Sequence, residues 1–165
     1  MKAQRLFITL LGMFFFAQLG QAKDLGQRLG VGYSDQFGTE SSMPSLSVRY
    51  YPNQQFGFQG SVGIDTQKDA NRFGASAKFI KNVFREDNMN FYVDASGGVV
   101  SQEKNSSTSS GFDVAAAFGG EFFLPGLESL GFNFEAGVGV TAISSNMRFR
   151  TFGDSPLKAG MFFYF

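Results

Sequence analysis

Eight stretches of this chain alternate bulky apolar residues with small or polar ones at a period of two, and no helical period competes with them after residue 22. Strict alternation over a short run marks a β-strand with one face in apolar surroundings. The runs are residues 25–33, 43–51, 56–65, 72–79, 91–99, 112–122, 132–141 and 157–165. In the second, Leu46, Val48 and Tyr50 oppose Ser45, Ser47 and Arg49; in the seventh, Phe132, Phe134, Ala136, Val138 and Val140 oppose Asn133, Glu135, Gly137, Gly139 and Thr141. The polar stretches 34–42, 65–71, 101–110 and 144–155 would join strands at one end, and 52–55, 81–90 and 125–130 at the other. The pattern predicts an up-and-down antiparallel meander forming one domain, with both chain ends on the same side.

Alternation alone also fits a soluble barrel with its apolar face inward, so the polar face decides. That face carries Arg28, Arg49, Lys78 and Lys158 with Asp65, Asp94, Asp113, Glu121 and Glu135, padded by Gly and Ser. An eight-stranded barrel has room inside only for side chains, and glycine spares that room where long side chains cross. The opposite face is bulky and aromatic, as lipid contact requires. Spanning strands must close on themselves, because an unpaired edge is untenable in hydrocarbon. The aromatic residues also sort by strand end: Tyr50, Phe56, Phe79, Phe91, Phe122, Phe132 and Phe165 toward one rim, and Tyr33, Phe73 and Phe112, with Phe149 and Phe152, toward the other. Two girdles at two interfaces are the mark of a transmembrane barrel.

The chain opens MKAQRLFITLLGMFFFAQLGQA: Lys2 and Arg5, an apolar run from Leu6 to Ala17, then Gly20 and Ala22 at the spacing of a cleavage site. The run is shorter than the ~20 residues a spanning helix needs, so residues 1–22 are expected to be a cleaved signal peptide and residues 23–165 the barrel domain. Composition then excludes chemistry. The 165 residues include 22 Phe and 21 Gly but no His and no Cys, which removes zinc and haem sites, thiol redox reactions and His-based triads. A formal charge of zero argues against nucleic-acid binding. The S-x-x-K match Ser155-Pro-Leu-Lys158 has no companion motif, and the two Gly-Val-Gly runs lie within strands and precede no helix.

The ending LKAGMFFYF, with Leu157, Ala159, Met161, Phe163 and Phe165 at alternate positions, resembles the last strand of small bacterial outer-membrane β-barrels of the OmpA/OmpX type. The resemblance implies an eight-stranded barrel in the outer membrane of a Gram-negative-type bacterium, inserted by assembly machinery that reads this ending. It carries no biochemical activity.

On these grounds Arg28, Arg49, Lys78, Asp94, Glu121 and Glu135 are expected to form an ion-pair network in the lumen, since an unpaired buried charge is very costly. Arg148 and Arg150, beside Phe149 and Phe152, are expected to form a loop patch that touches lipopolysaccharide phosphates. The expected function is structural or surface-interacting and non-catalytic, in a monomer without cofactor or metal. Its partners would be outer-membrane lipid, lipopolysaccharide and the barrel-assembly machinery. A narrow channel for small solutes and a lipid-modifying enzyme are the alternatives.

Overall fold

The computed structural model describes residues 24–35, 43–67, 70–104, 107–144, 146–151 and 158–165. The proposed export segment, Leu157 and Phe152 lie outside the described residues.

Nine strand segments follow one another: β1 (Arg28–Asp35), β2 (Pro44–Tyr51), β3 (Phe56–Asp65), β4 (Arg72–Glu86), β5 (Met89–Lys104), β6 (Ser107–Leu124), β7 (Leu127–Ile143), β8 (Asn146–Thr151) and β9 (Lys158–Tyr164). From β1 to β7 each pairs antiparallel with the next, and β9 returns to pair with β1. β7 is shared: Leu130 to Glu135 pair with β9, while Val138 to Ile143 pair with β8. β8 and β9 are therefore two pieces of one eighth strand, and the sheet is a closed eight-stranded antiparallel barrel. Reciprocal backbone bonds between Leu29 and Phe165 (3.2 and 3.0 Å) extend the β1–β9 seam to the last residue.

The alternation translates directly into inside and outside. On β2, Ser45, Ser47, Arg49 and Tyr51 are buried while Leu46, Val48 and Tyr50 are exposed. Val31, Phe58, Val62, Phe79, Val93, Val114, Phe118 and Val138 continue the exposed apolar belt around the barrel. Rings pair across neighbouring strands near one rim: Phe56 with Phe79, Phe84 with Phe91, and Phe122 with Phe132, at centroid separations of 5.6, 4.8 and 5.3 Å. Such pairs register adjacent strands as well as filling the rim.

Four stretches expected to be connections contain strand instead. β4 runs through residues 81–86 with a bulge between Asn82 and Phe84, and the turn is only Asp87-Asn88. The polar run 101–110 continues the β5–β6 ladder, out to the pair Lys104↔Ser107. The last connection contains β8, and β7 starts at Leu127, directly after a turn of Pro125 and Gly126 whose glycine sits at φ 83°. Proline followed by a positive-φ glycine suits the two central positions of a type II turn. Along 101–110 both faces carry polar residues, so the period-two signal disappears while the backbone ladder goes on. In β4 the bulge breaks the period and leaves Val83 and Phe84 both exposed, and β8 is a six-residue segment in which Met147 and Phe149 alternate with Arg148 and Arg150.

Candidate functional site: the charged lumen

Inward-facing charges from five strands meet in the barrel's interior. Arg49 of β2 and Glu121 of β6 are fully buried, and Glu135 of β7 is 1% exposed. Arg49 Nη1 lies 3.2 Å from Glu121 Oε1, and its Nη2 lies 4.0 Å from Glu135 Oε1. Lys78 of β4 donates from Nζ to Glu135 Oε2 at 2.5 Å and stands 3.8 Å from Asp94 Oδ1 of β5. Five of the six expected network residues are thus brought together. Arg28 is not among them. It shares the inward face of β1 but lies half-buried at its first residue, within electrostatic reach of Asp24.

Neutral residues complete the network, and the sequence did not single them out. Arg49 donates from Nε and Nη2 to Gln59 Oε1 at 2.9 and 2.6 Å. Tyr164 donates to Glu121 Oε1 at 2.7 Å, and Tyr92 donates to Glu135 Oε1 at 2.8 Å. Asn133 Nδ2 lies between Tyr92 Oη and Glu135 Oε1. The guanidinium carbon of Arg49 also sits 4.2 Å from the ring centre of Phe162, within cation–π range. Gln59, Tyr92, Asn133, Phe162 and Tyr164 all occupy the same inward parity as the charges. That parity was the available signal; without a formal charge nothing marked them as partners.

Glycine makes the space these side chains occupy. A Cβ on Gly30 would stand 2.6 Å from Tyr164 Cε1, one on Gly57 2.6 Å from Tyr51 Cε1, and one on Gly119 2.7 Å from Tyr92 Cζ. Each ring therefore packs directly against a glycine of another strand. Tyr51, Tyr92 and Tyr164 join Leu25, Ile80, Phe123 and Phe162 in a buried apolar cluster at the end of the barrel that holds both chain ends. Above the charges, hydroxyls of Ser34, Ser47 and Ser61 are linked at 2.7 and 2.8 Å, and Gln59 joins them through Ser61.

A second, smaller group stands nearer the opposite mouth. Thr141 donates to Asp113 Oδ2 at 2.6 Å, and Arg150 Nη2 lies 3.0 Å from Thr141 Oγ1 and 3.5 Å from Asp113 Oδ2. This corrects the expected loop patch. Arg148 and Arg150 sit on β8, paired with Thr141 and Gly139, so both share the inward face, while Phe149 on the other face is 69% exposed. Arg150 is engaged with Asp113, and Arg148 is exposed near the mouth. The alternation of strand geometry separates residues that a loop would have let converge.

Along the final strand, Ala159, Met161, Phe163 and Phe165 all face outward and are exposed.

Chemically, the lumen holds carboxylates paired to cations and phenols, with four acids (Asp94, Asp113, Glu121, Glu135) against Arg49, Lys78, Lys158 and Arg150. Among the described residues no group of acids is arranged to hold a metal ion. No family model and no curated protein matches the chain. Among solved structures, the N-terminal β-barrel domain of Pseudomonas aeruginosa OprF is similar at a TM-score of 0.59, with 11% sequence identity, over 85% of this chain and 98% of that one. The likeness is one of fold: this chain, like that domain, is a closed eight-stranded antiparallel β-barrel.

Proposed function

We propose that the protein is a monomeric outer-membrane barrel with a sealed lumen, acting as a structural or surface-interaction element without catalysis. The observation that carries this reading is the burial of Arg49, Glu121 and Glu135 within a network that engages β2, β3, β4, β5, β6, β7 and β9 at once, beneath a cluster of aromatic rings. Side chains bound to one another across the interior leave little for a solute to follow. The outward apolar belt and the OprF-like fold support location in the outer membrane, reached through removal of residues 1–22. In this reading the ending from Leu157 to Phe165 engages the assembly machinery during insertion, and the surroundings are outer-membrane lipid and lipopolysaccharide. Arg148, exposed near the loop end, is the remaining candidate for lipopolysaccharide phosphates. The absence of His from the whole sequence, with lumen carboxylates already paired, supports a non-catalytic role.

Planar-bilayer recording of the purified barrel tests the central claim. Silence above membrane leak is expected. Regular single-channel steps would replace it with the narrow-pore alternative, and altered lipid A masses in cells expressing the protein would replace it with a lipid-modifying enzyme.

A further inference from the structure

The rim that holds the chain ends carries a feature the sealed lumen does not use. β3 begins at Phe56, paired with Lys81, but β4 continues for a further five residues to Glu86. The overhang leaves a corner against the β2–β3 turn, and a cavity of about 460 Å³ opens there, lined by Gln54, Gln55, Phe56, Lys81, Phe84 and Arg85 among others. Small-molecule sites span roughly 300–1,000 Å³.

The corner is held in shape rather than left loose. Asn82 donates from its backbone to Gln55 O and from Nδ2 to Gln54 O, both at 2.8 Å. Asn53 Oδ1 accepts from the backbone of Gln55 and Phe56, bracing the turn. The bulge at Asn82/Phe84 re-aims the following side chains, and Val83 and Phe84 stand 62% and 51% exposed beside the cavity. Bulges beside a site commonly do this.

Charge and apolar surface then divide the corner as an amphiphile would. Lys81 and Arg85 supply two cations in the lining, while the stacked pairs Phe56–Phe79 and Phe84–Phe91 flank it with aromatic surface facing outward. A carboxylate lies close by as well: Asp24 accepts from Gln54 Nε2 of the lining at 2.6 Å and is near enough to Arg85 to feel its charge. A simple anion meets that carboxylate unfavourably; a headgroup carrying both charges does not.

We propose that this corner is a binding site for a glycerophospholipid with an amine headgroup, its phosphodiester held by Lys81 and Arg85, its amine toward Asp24, and its acyl chain along the outward rings. The inference rests on the membrane reading above and adds a specific lipid contact to it.

Native mass spectrometry of the detergent-purified protein, titrated with phosphatidylethanolamine, tests it. One retained lipid per barrel is expected, falling at least fivefold in Lys81→Ala/Arg85→Ala and unchanged in Arg148→Ala at the far mouth. Phosphatidylglycerol should be retained several-fold less. Equal retention by the double variant, or a preference for phosphatidylglycerol, overturns the proposal. Displacement of the lipid by millimolar inorganic phosphate also overturns it and makes the corner a free-phosphate site. Flotation of the wild-type chain with phosphatidylcholine vesicles separates the two levels of argument. A wild-type chain that floats but retains no lipid overturns only this site, whereas a wild-type chain that does not float overturns the membrane reading beneath it.

Discussion

At the residue scale, Glu135 is the position on which most of the lumen depends. Its two oxygens take bonds from Lys78, Tyr92 and Asn133, and Arg49 lies at 4.0 Å. Removing its charge takes from Lys78 its nearest carboxylate, leaving it Asp94 at 3.8 Å, and takes from Arg49 the second of its two acids. Breaking a buried pair from one side costs about 3–5 kcal/mol, because the partner's desolvation goes uncompensated. Glu135→Gln should therefore lower the stability of the vesicle-inserted barrel by that amount, read as the urea midpoint of its electrophoretic mobility shift. The pair Arg72–Asp65 provides the contrast, since its side chains are 20% and 37% exposed. Arg72→Ala should cost less than ~1 kcal/mol. Equal losses at the two positions would mean that burial does not set the strength of these pairs. The charged half of this site was legible from parity alone: Arg49, Lys78, Asp94, Glu121 and Glu135 all lie where alternation put them. Arg28 was misplaced because parity gives a face but not a depth, and the first inward residue of β1 is already at the mouth.

At the element scale, strand faces were readable and strand lengths were not. Outside the apolar belt, Ser107 to Ser110 are polar on both parities, yet they are strand. Asn146 to Thr151, where Met147 and Phe149 alternate with Arg148 and Arg150, is strand within a stretch too short and polar to stand out from a loop. Polar composition reports the surroundings of a strand, and only the hydrogen-bonded ladder reports its existence. If the β5–β6 ladder beyond Ser101↔Ser110 is a water-exposed hairpin, it should tolerate change. An epitope inserted between residues 105 and 106 should leave the mobility shift intact and be labelled by antibody on whole cells; loss of the folded band would give the hairpin a role in closing the barrel. Three inward glycines work in the opposite sense, because Gly30, Gly57 and Gly119 each lie against one tyrosine ring. Gly30→Val would push a methyl group into Tyr164, which donates to Glu121. Overpacking of this kind costs about 1–3 kcal/mol. With no Trp in the chain, near-UV circular dichroism reads tyrosine and phenylalanine packing directly. A reduced tyrosine band is expected for Gly30→Val, and a spectrum identical to wild type would show that Tyr164 is not held by that contact.

At the scale of the whole molecule, the wall is uneven. β1 and β2 are 8 residues long, whereas β5, β6 and β7 run to 16, 18 and 17. A tilted strand crosses a bilayer in ~9–11 residues, so the β4–β7 side rises past any apolar layer that the β1–β2 side fits. The zero formal charge and the mean hydropathy of −0.07 are averages over this arrangement, with aromatic and aliphatic residues outside and charges inside. That distribution makes a distinct prediction about solvent. Val48 faces outward midway along β2, flanked in register by Val31 and Gly60, and Tyr33 faces outward toward the opposite rim from Tyr50. If lipid surrounds the barrel, an arginine should cost about 2–4 kcal/mol at the middle of the belt and about 0–1 near its edge. Val48→Arg and Tyr33→Arg, unfolded by denaturant from phospholipid vesicles, should differ in that direction. A soluble barrel would show no dependence on depth, since both positions would face water and either arginine would be tolerated. Equal and small effects at Val48 and Tyr33 would therefore sink the membrane reading while leaving the lumen network and the closed sheet as they stand.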